Sequence, residues 1–365
     1  MTPPINYSRK LDALPHYEGG MDLERARRLY ETTEVIKLAS NESPWGPHPA
    51  VLEKVAEAAA NANRYPDQYA SLLRERIAAR YDYDPAGIAV ANGSCEILLA
   101  ASLALCEPGA EIVYAWPAFS MYPQLAPLSG ATEIRVPLND SYEHDLEAML
   151  AEITVATQLV LVCNPNNPTG TYISAERIAE FCERVPGHVT VILDEAYIEL
   201  QAVDDPFATV DLLKRFPNLV LLRTFSKVYG LAGLRCGYAL GSARFRAAVD
   251  AVRQPFSVNL LAQAAGAEAI THQDDVERRV VRTVAERNDV EEQLAELGLG
   301  TAATQTNFSW ISLGDRDDAE IVEALGKQGV IVRGGTPLGG PGHIRVTYGT
   351  AAENAKFIEA LRAVL

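Results

Sequence analysis

The stretch LVLLRTFSKVYGLAGLRCGYAL, residues 219–240, contains two apolar runs, LVLLRTF and CGYAL, on either side of Lys227. Similar runs recur upstream between amphipathic stretches, as IAVANG, EIVYA, TEIRVPL, QLVLVC and VTVILDE between residues 88 and 195. Such alternation of strands and helices is typical of an α/β fold. Several runs are nearly continuous in Val, Ile and Leu, which predicts a mainly parallel mixed sheet covered by helices on both faces.

The last third of the chain has a different pattern. A long helical stretch, RRVVRTVAERNDVEEQLAELG, is followed by a strand at NFSWISL, a helix at AEIVEALGKQG and strands at VIVRG and HIRVTYG. This order predicts a smaller α+β domain, and 365 residues exceed what one core usually holds. We therefore expect an N-terminal arm with part of the small domain in residues 1–40, a large cofactor-binding domain in residues 41–252, and a small C-terminal domain in residues 253–365.

Composition excludes several classes of partner. The formal net charge is −16 and no long run of lysine or arginine occurs, which argues against nucleic acid. The five cysteines cannot all pair, and none lies in a spacing typical of a metal site. We expect reduced thiols, no metal and a cytoplasmic protein. No signal-like or membrane-spanning apolar segment is evident, so neither secretion nor a membrane is expected.

Lys227 is the residue around which a site is predicted. A lysine at the end of a strand is usually a solvated surface residue. Here, however, Thr224 and Ser226 precede it and Arg235 follows eight residues later. Hydroxyls and a guanidinium bind phosphate oxygens, whereas an amine condenses with a carbonyl. The group favours a phosphate-bearing aldehyde cofactor bound by Lys227.

Polar groups also follow two neighbouring strands. By itself Asp194, at the end of VTVILD, has capping a helix or binding a metal as its alternatives. Beside a lysine-bound cofactor, a carboxylate would keep a pyridine nitrogen protonated, so that the ring can take electrons from the substrate. Asn167, in the turn CNPNNPTG, and Tyr197 are candidates to donate to a ring oxygen. A turn without function is the alternative for CNPNNPTG.

Two upstream segments complete the predicted cofactor site. In NGSCEILLAASLAL, Ser94 and Cys95 lie where a strand leads into a helix, and the first free N–H groups of a helix bind anions. In WPAFSMY, either Phe119 or Tyr122 is a candidate to stack on the cofactor ring. Core packing is the alternative for both rings.

These motifs together resemble a known family. SNESPWG, RYPD, NGSCE, CNPNNPTG, DEAYIE, RTFSKVYGLAGLRCGY and IRVTYGT, in this order, are similar to the fold-type I aminotransferases, and most closely to the histidinol-phosphate aminotransferase group. The resemblance implies pyridoxal 5'-phosphate, with Lys227 as Schiff-base lysine and proton shuttle and Asp194 as the partner of the pyridinium. It also implies Asn167 and Tyr197 as ligands of the ring oxygen. Its phosphate ligands would be Ser94, Cys95, Thr224, Ser226, Arg235 and, from the other subunit of a homodimer, Tyr65.

For the substrate, the resemblance implies Arg345 as the anchor of an acidic group, with Arg333, Asn41 and Tyr17 nearby. The expected reaction converts histidinol phosphate and 2-oxoglutarate to imidazole acetol phosphate and glutamate. One alternative keeps the reaction but uses phenylalanine or tyrosine as the substrate. Another is a decarboxylase or lyase with the same cofactor, because the same residues would stabilise the same carbanion. A cofactor-binding regulator is the alternative from another class, but no room for a DNA-binding module exists before residue 40.

Overall fold

The computed structural model describes residues 5–15, 19–32 and 34–365; within the first of these ranges it describes the backbone of Arg9 but not its side chain. Its strands form one large sheet and two small ones. The strands are β1 (Ile36–Lys37), β2 (Ile88–Ala91), β3 (Glu111–Trp116), β4 (Thr132–Pro137), β5 (Thr157–Cys163), β6 (Thr190–Asp194), β7 (Leu219–Thr224), β8 (Gly237–Leu240), β9 (Phe308–Ser312), β10 (Val330–Ile331), β11 (Arg333–Gly334) and β12 (His343–Thr347).

Several helices begin at a side chain that caps them. Asp22, Ser174 and Thr350 each accept a hydrogen bond from a first-turn N–H group, which would otherwise lack an intrahelical partner. Among the helices of the described residues, none combines the length and apolar character needed to cross a bilayer. The helices are α1 (Leu23–Tyr30), α2 (Pro49–Ala59), α3 (Ser71–Tyr81), α4 (Ser94–Leu105), α5 (Tyr122–Ser129), α6 (Leu146–Ala151), α7 (Ala175–Arg184), α8 (Ala208–Leu212), α9 (Ala243–Val252), α10 (Leu260–Ala269), α11 (Gln273–Glu296), α12 (Asp318–Lys327) and α13 (Ala351–Val364).

The large sheet has seven strands in the order β2-β8-β7-β6-β5-β3-β4. Neighbouring strands are parallel except at β8, which runs antiparallel to both β2 and β7. All seven apolar runs between residues 88 and 240 contribute strands to this sheet. The predicted mainly parallel mixed sheet is therefore confirmed.

Helices cover both faces of the large sheet. Successive side chains of a strand point to opposite faces. In β5, Val160 and Val162 lie in one hydrophobic core, while Leu159 and Leu161 lie in the other. Full burial of such a side chain is worth about 1.5–3 kcal/mol relative to exposure. The nearly continuous apolar run of this strand thus reflects two cores.

The second half of the chain builds a smaller antiparallel sheet, β11-β12-β9. Its Ile311 packs with Leu294 of α11 and Phe357 of α13 in a separate core. The prediction of one strand at VIVRG is wrong in detail, because the chain changes partner at Val332. Strand β10 pairs with β1, whereas β11 pairs with β12.

The N-terminal region contains a helix that the sequence analysis missed. Asp22 caps α1, and the hydroxyl of Tyr30 donates to Glu323 of α12 at 3.1 Å. The ring of Tyr30 lies against Gly326, where a Cβ atom would be 2.3 Å from it. Together with the pairing of β1 and β10, these contacts attach the described part of residues 1–40 to the small sheet.

Helix α10 lies on the large sheet's side, although it follows residue 253. It packs against α2 and α3, and Gly266 lies so close to Leu73 that a Cβ atom would be 3.1 Å from that side chain. Its Ala262 and Ala265 belong to the core of the large sheet. The domain boundaries at residues 40 and 253 stay a prediction.

The fold concentrates polar residues at one edge of the large sheet. Strands β5, β6 and β7 are adjacent and parallel, so their carboxyl ends lie together. Cys163, Asp194 and Thr224 end these strands, and the segments of Asn167 and Lys227 follow directly. In open α/β sheets, ligands bind outside these ends.

A buried ion pair lies directly behind this edge. The Nε atom of Arg223 donates to Glu195 at 2.7 Å, and both side chains are almost fully buried. Arg223 also donates to the carbonyl of Pro206 at 2.9 Å. Burial raises the pKa of Glu195, and the charge of Arg223 opposes that rise. Each charge of the pair thus depends on the other.

We expect Arg223→Met to destabilise the protein by about 3–5 kcal/mol, because it leaves a buried carboxylate without its counter-ion. The pKa of Glu195 should then rise further above its unfolded value, so the folded variant binds an extra proton. The free energy of unfolding of the variant should therefore fall further below that of the wild type as the pH rises from about 5 to about 8. Thermal unfolding would measure this. The double variant Glu195→Gln, Arg223→Met should recover part of the loss, and an unchanged Tm in the single variant would contradict the account.

Candidate active site

A pocket of about 370 Å³ lies between the carboxyl edge of the large sheet and the small sheet. It is lined by most of the residues that the sequence singled out. The predicted residues that it brings together are Asn41, Ser94, Cys95, Phe119, Asn167, Asp194, Tyr197, Thr224, Ser226, Lys227, Arg235, Arg333 and Arg345.

Lys227 projects its amine into this pocket. Its Nζ atom donates to the carbonyl of Ser40 at 3.3 Å and lies 5.5 Å from the ring centre of Tyr197. Burial, with the nearby charge of Arg345, lowers the pKa of the Lys227 amine to about 8. Near neutral pH the uncharged, nucleophilic form of this amine is therefore far more populated than in a solvent-exposed lysine.

Asp194 is a buried carboxylate with only one oxygen satisfied. The hydroxyl of Tyr122 donates to its Oδ2 atom at 3.0 Å. Among the described residues, its buried Oδ1 atom has no hydrogen-bond partner. Burial raises the pKa of Asp194 to about 6. A buried acceptor without a donor is costly, and a protonated ring nitrogen is a donor that would fit it.

Backbone and side-chain donors converge at the start of α4. Gly93 precedes the helix with φ 80° and has no side chain to cap it, and Ser94 and Cys95 of the first turn line the pocket. A Cβ atom at Gly93 would lie 2.6 Å from a guanidinium nitrogen of Arg235, and one at Gly237 would lie 2.3 Å from the nitrogen of Ser94. Only glycine allows these approaches. With the hydroxyls of Thr224 and Ser226 beside it, this cradle fits a phosphate group.

The residues predicted to bind a ring oxygen are both held by neighbours. Asn167 accepts a hydrogen bond from Arg345 through its amide oxygen at 2.5 Å. The hydroxyl of Tyr197 accepts one from the amide nitrogen of Asn41 at 2.9 Å. The ring of Tyr197 packs edge-on against Phe308, with centres 5.2 Å apart. Both polar groups are thus oriented before any ligand binds.

Residues 39–41 cross the pocket and contact three of its functional side chains in succession. The carbonyl of Ala39 accepts from Arg345 at 2.9 Å, that of Ser40 accepts from Lys227, and Asn41 donates to Tyr197. Sequence reasoning missed Ala39 and Ser40 because their contribution is a backbone carbonyl. The only available signal was their position in the SNESPWG motif and just before it.

Not every predicted residue lines this pocket. Phe119 does, whereas Tyr122 lies behind Asp194 and is fully buried. Of the two candidate stacking rings, only Phe119 therefore has access to a bound ring. Tyr65 is 84% exposed and stacks on Phe256, with ring centres 4.9 Å apart, outside the pocket of its own chain. Tyr17 lies outside the described residues.

The small sheet supplies the wall opposite Lys227. Arg333 and Arg345 are direct cross-strand partners on β11 and β12, and both line the pocket. Leu338 also lines it, from a loop that Asp318 anchors by accepting from both the backbone and the hydroxyl of Thr336, at 2.9 and 2.6 Å. No sequence signal marked Leu338, since it comes from a glycine-rich connection.

Comparisons with known proteins agree with this geometry. The family model "Aminotransferase class I and II" matches residues 33–361. A histidinol-phosphate aminotransferase of Geobacillus thermodenitrificans is 41% identical over 99% of this chain and 98% of its own length. An aromatic amino acid aminotransferase of Corynebacterium jeikeium is 45% identical over 90% of this chain and 88% of its own.

Among solved structures, the histidinol-phosphate aminotransferase of Sinorhizobium meliloti, in complex with pyridoxal 5'-phosphate, superposes with a TM-score of 0.89 at 27% identity over 100% of both chains. The resemblance drawn from the motifs is thereby confirmed, as is the predicted fold class. The chain therefore belongs to the class I and II aminotransferases, the fold-type I enzymes that work with pyridoxal 5'-phosphate.

Proposed function

We propose that this pyridoxal 5'-phosphate-dependent aminotransferase acts in the cytoplasm on histidinol phosphate, with 2-oxoglutarate as the acceptor, giving imidazole acetol phosphate and glutamate. The names of relatives about 40% identical over nearly the whole chain support this substrate. The structural observation that carries it is the pair Arg333 and Arg345.

Arg333 and Arg345 lie directly opposite each other on antiparallel strands and line the same pocket. A dianionic phosphate between them would accept hydrogen bonds from both guanidinium groups. A single carboxylate requires only one of them. The pair therefore suits a phosphorylated substrate, and it also suits the two carboxylates of 2-oxoglutarate.

The residues of the pocket divide the work of holding the cofactor. Ser94, Cys95, Thr224, Ser226 and Arg235 bind its phosphate at the start of α4. Asp194 accepts the ring N–H at its Oδ1 atom. Tyr197 and Asn167 donate to the ring oxygen, and Phe119 stacks on the ring face. These roles follow from the cradle, the unsatisfied carboxylate oxygen and the oriented polar groups around the pocket.

Pyridoxal 5'-phosphate, when bound, supplies an aldehyde that bonds to nitrogen and a ring that accepts electrons from the substrate's α carbon. Lys227 would hold this aldehyde through its amine, which a substrate amine would replace. The freed amine, with its lowered pKa, then takes the proton from the α carbon of the substrate. Asp194 keeps the ring nitrogen protonated throughout. Arg333 and Arg345 orient the substrate so that this carbon faces Lys227.

We propose that the active enzyme is a homodimer, with Tyr65 of one subunit reaching the phosphate cradle of the other. Arg235 and Gly233 are exposed in the single chain, so the cradle is open on one side. The exposed rings of Tyr65 and Phe256 stack on each other and form an apolar patch that a second copy would cover.

A second candidate substrate is an aromatic amino acid. Phe119 and Leu338 offer apolar contacts on opposite sides of the pocket, and the aromatic amino acid relative is 45% identical. In that case Arg345 would hold the α-carboxylate, and Arg333 would contribute little.

The two substrates are distinguished by adding each to the purified holoenzyme without an oxo-acid acceptor and following the visible cofactor band. We expect histidinol phosphate to convert the band at a far lower concentration than phenylalanine. Arg333→Gln should raise the half-converting concentration of histidinol phosphate about tenfold or more, and that of phenylalanine little. If phenylalanine converts the band at the lower concentration, the aromatic candidate replaces this proposal.

The amine of Lys227 should react with an amine-directed reagent in the apoenzyme at a rate that is half-maximal near its pKa of about 8, because only the neutral amine, present above the pKa, is nucleophilic. Mass spectrometry of the peptides would measure this, with the exposed Lys54, whose pKa is raised by Glu57, as the control. Bound cofactor should protect Lys227. Lys227→Ala should abolish both transamination and the borohydride-reducible adduct, and retained activity in that variant would refute the assignment.

The shared site can be tested with hybrid dimers. Tyr65→Phe should weaken cofactor retention about tenfold to a hundredfold, through loss of a hydrogen bond to a charged phosphate. In a hybrid of the Tyr65→Phe and Lys227→Ala chains, carrying different tags, the one lysine-bearing site receives an intact Tyr65 from its partner. Cofactor retention there should return to the wild-type level. If Tyr65 served its own chain instead, retention in the hybrid would stay weak.

A further inference from the structure

Asn41 occupies an unusual position beside the cofactor pocket. It is 1% exposed and has φ 53°, a left-handed conformation that asparagine tolerates better than most residues. Its backbone N–H donates to Thr347 Oγ1 at 2.9 Å, and its carbonyl accepts from Asn307 at 3.2 Å. The backbone of Asn41 is thus held at both its N–H and its carbonyl group.

The orientation of that amide is set by Thr347. The Thr347 hydroxyl accepts the backbone N–H of Asn41 and donates its own hydrogen to Asn41 Oδ1 at 3.2 Å. The amide oxygen therefore faces Thr347, and the amide nitrogen faces Tyr197. An amide nitrogen only donates, so the hydroxyl oxygen of Tyr197 accepts in this contact.

The consequence concerns the hydrogen of the Tyr197 hydroxyl. Within the part of the chain that the structure describes, Asn41 is the residue to which this hydroxyl is hydrogen-bonded. Because the oxygen accepts from Asn41, its own hydrogen is available to donate in another direction. Tyr197 is buried and lines the pocket together with Asp194 and Asn167.

We propose that Asn41 is a positioning residue that directs the hydroxyl hydrogen of Tyr197 to the ring oxygen of the cofactor, with Thr347 fixing the amide. This rests on the proposed function, because it requires Tyr197 to contact the cofactor. It gives Asn41 a role through Tyr197, in place of the direct substrate contact that the motif resemblance implies.

The arrangement also connects the two sides of the pocket. Thr347 and Arg345 are two residues apart on β12, so their side chains point to the same face of the small sheet. Arg345 is the predicted anchor of the substrate, whereas Tyr197 follows a strand of the large sheet. Thr347 and Asn41 thus link the strand that carries Arg345 to Tyr197.

Four other groups act on Tyr197 and have to stay constant in any test. Two are cations, Arg345 on β12 and Lys227 after β7. The other two are the titratable side chains of Cys163 on β5 and Asp194 on β6. None of them is altered in the variants below. A shift caused by Asn41 or Thr347 is thus separable from their effects.

The test is a pH titration of the visible band of the bound cofactor. A donor to the ring oxygen stabilises its anionic form and so lowers the pKa of the band transition. Tyr197→Phe should raise that pKa by about one unit or more. Asn41→Ala and Thr347→Val should each raise it by part of this amount, and Thr347→Ser, which keeps the hydroxyl, should match the wild type.

A double-mutant cycle distinguishes action through Tyr197 from direct action on the substrate. In the Tyr197→Phe background, Asn41→Ala should produce no further shift. The inference would be overturned if Asn41→Ala and Thr347→Val left the pKa of the band transition unchanged while Asn41→Ala raised the KM for histidinol phosphate both with and without Tyr197. That outcome would leave the proposed function intact. A wild-type protein without any cofactor band would overturn both. Thr347→Val keeps asparagine at the left-handed position 41, so it carries the test if Asn41→Ala fails to fold, with Thr347→Ser as its control.

Discussion

Everything in the active site depends on the parallel arrangement of β5, β6 and β7. Because these strands run in one direction, their carboxyl ends bring Asn167, Asp194 and Lys227 to one edge, although the first and last are sixty residues apart in the chain. The antiparallel β8 then returns the chain so that Gly237 lies against the start of α4. Sheet topology thus positions the reactive amine and brings β8 against the start of α4, where the phosphate cradle lies.

This edge places several ionisable groups in a poorly solvated region. Asp194 lies there with one oxygen unsatisfied, and burial lowers the pKa of Lys227 while raising that of Asp194. Directly behind, Arg223 neutralises Glu195, the residue next to Asp194. Groups of this kind weaken the folded state unless a ligand completes them. The two hydrophobic cores of the large sheet stabilise the fold enough for the site to keep these groups preorganised.

Much of this was predictable because the relevant signals are local. The apolar runs predict seven strands. The lysine, carboxylate and amide at or just after the ends of three of these strands are predicted to belong to one site at the edge of the sheet. Groups that act through distant contacts had no such signal. Ala39 and Ser40 contribute carbonyls, Leu338 comes from a glycine-rich loop held by Asp318, and Tyr122 proved to bind Asp194 from behind instead of lining the pocket.

By itself, the sequence determined the sheet, its two covered faces and the chemistry available at its edge, because strand periodicity and the residues at strand ends are local properties. Only the tertiary structure decided how those groups face one another. The pairing of Arg333 with Arg345, the single satisfied oxygen of Asp194 and the path from Thr347 through Asn41 to Tyr197 join residues that are up to 306 positions apart. Their geometry follows from the packing of the small sheet against the large one, which no local pattern encodes.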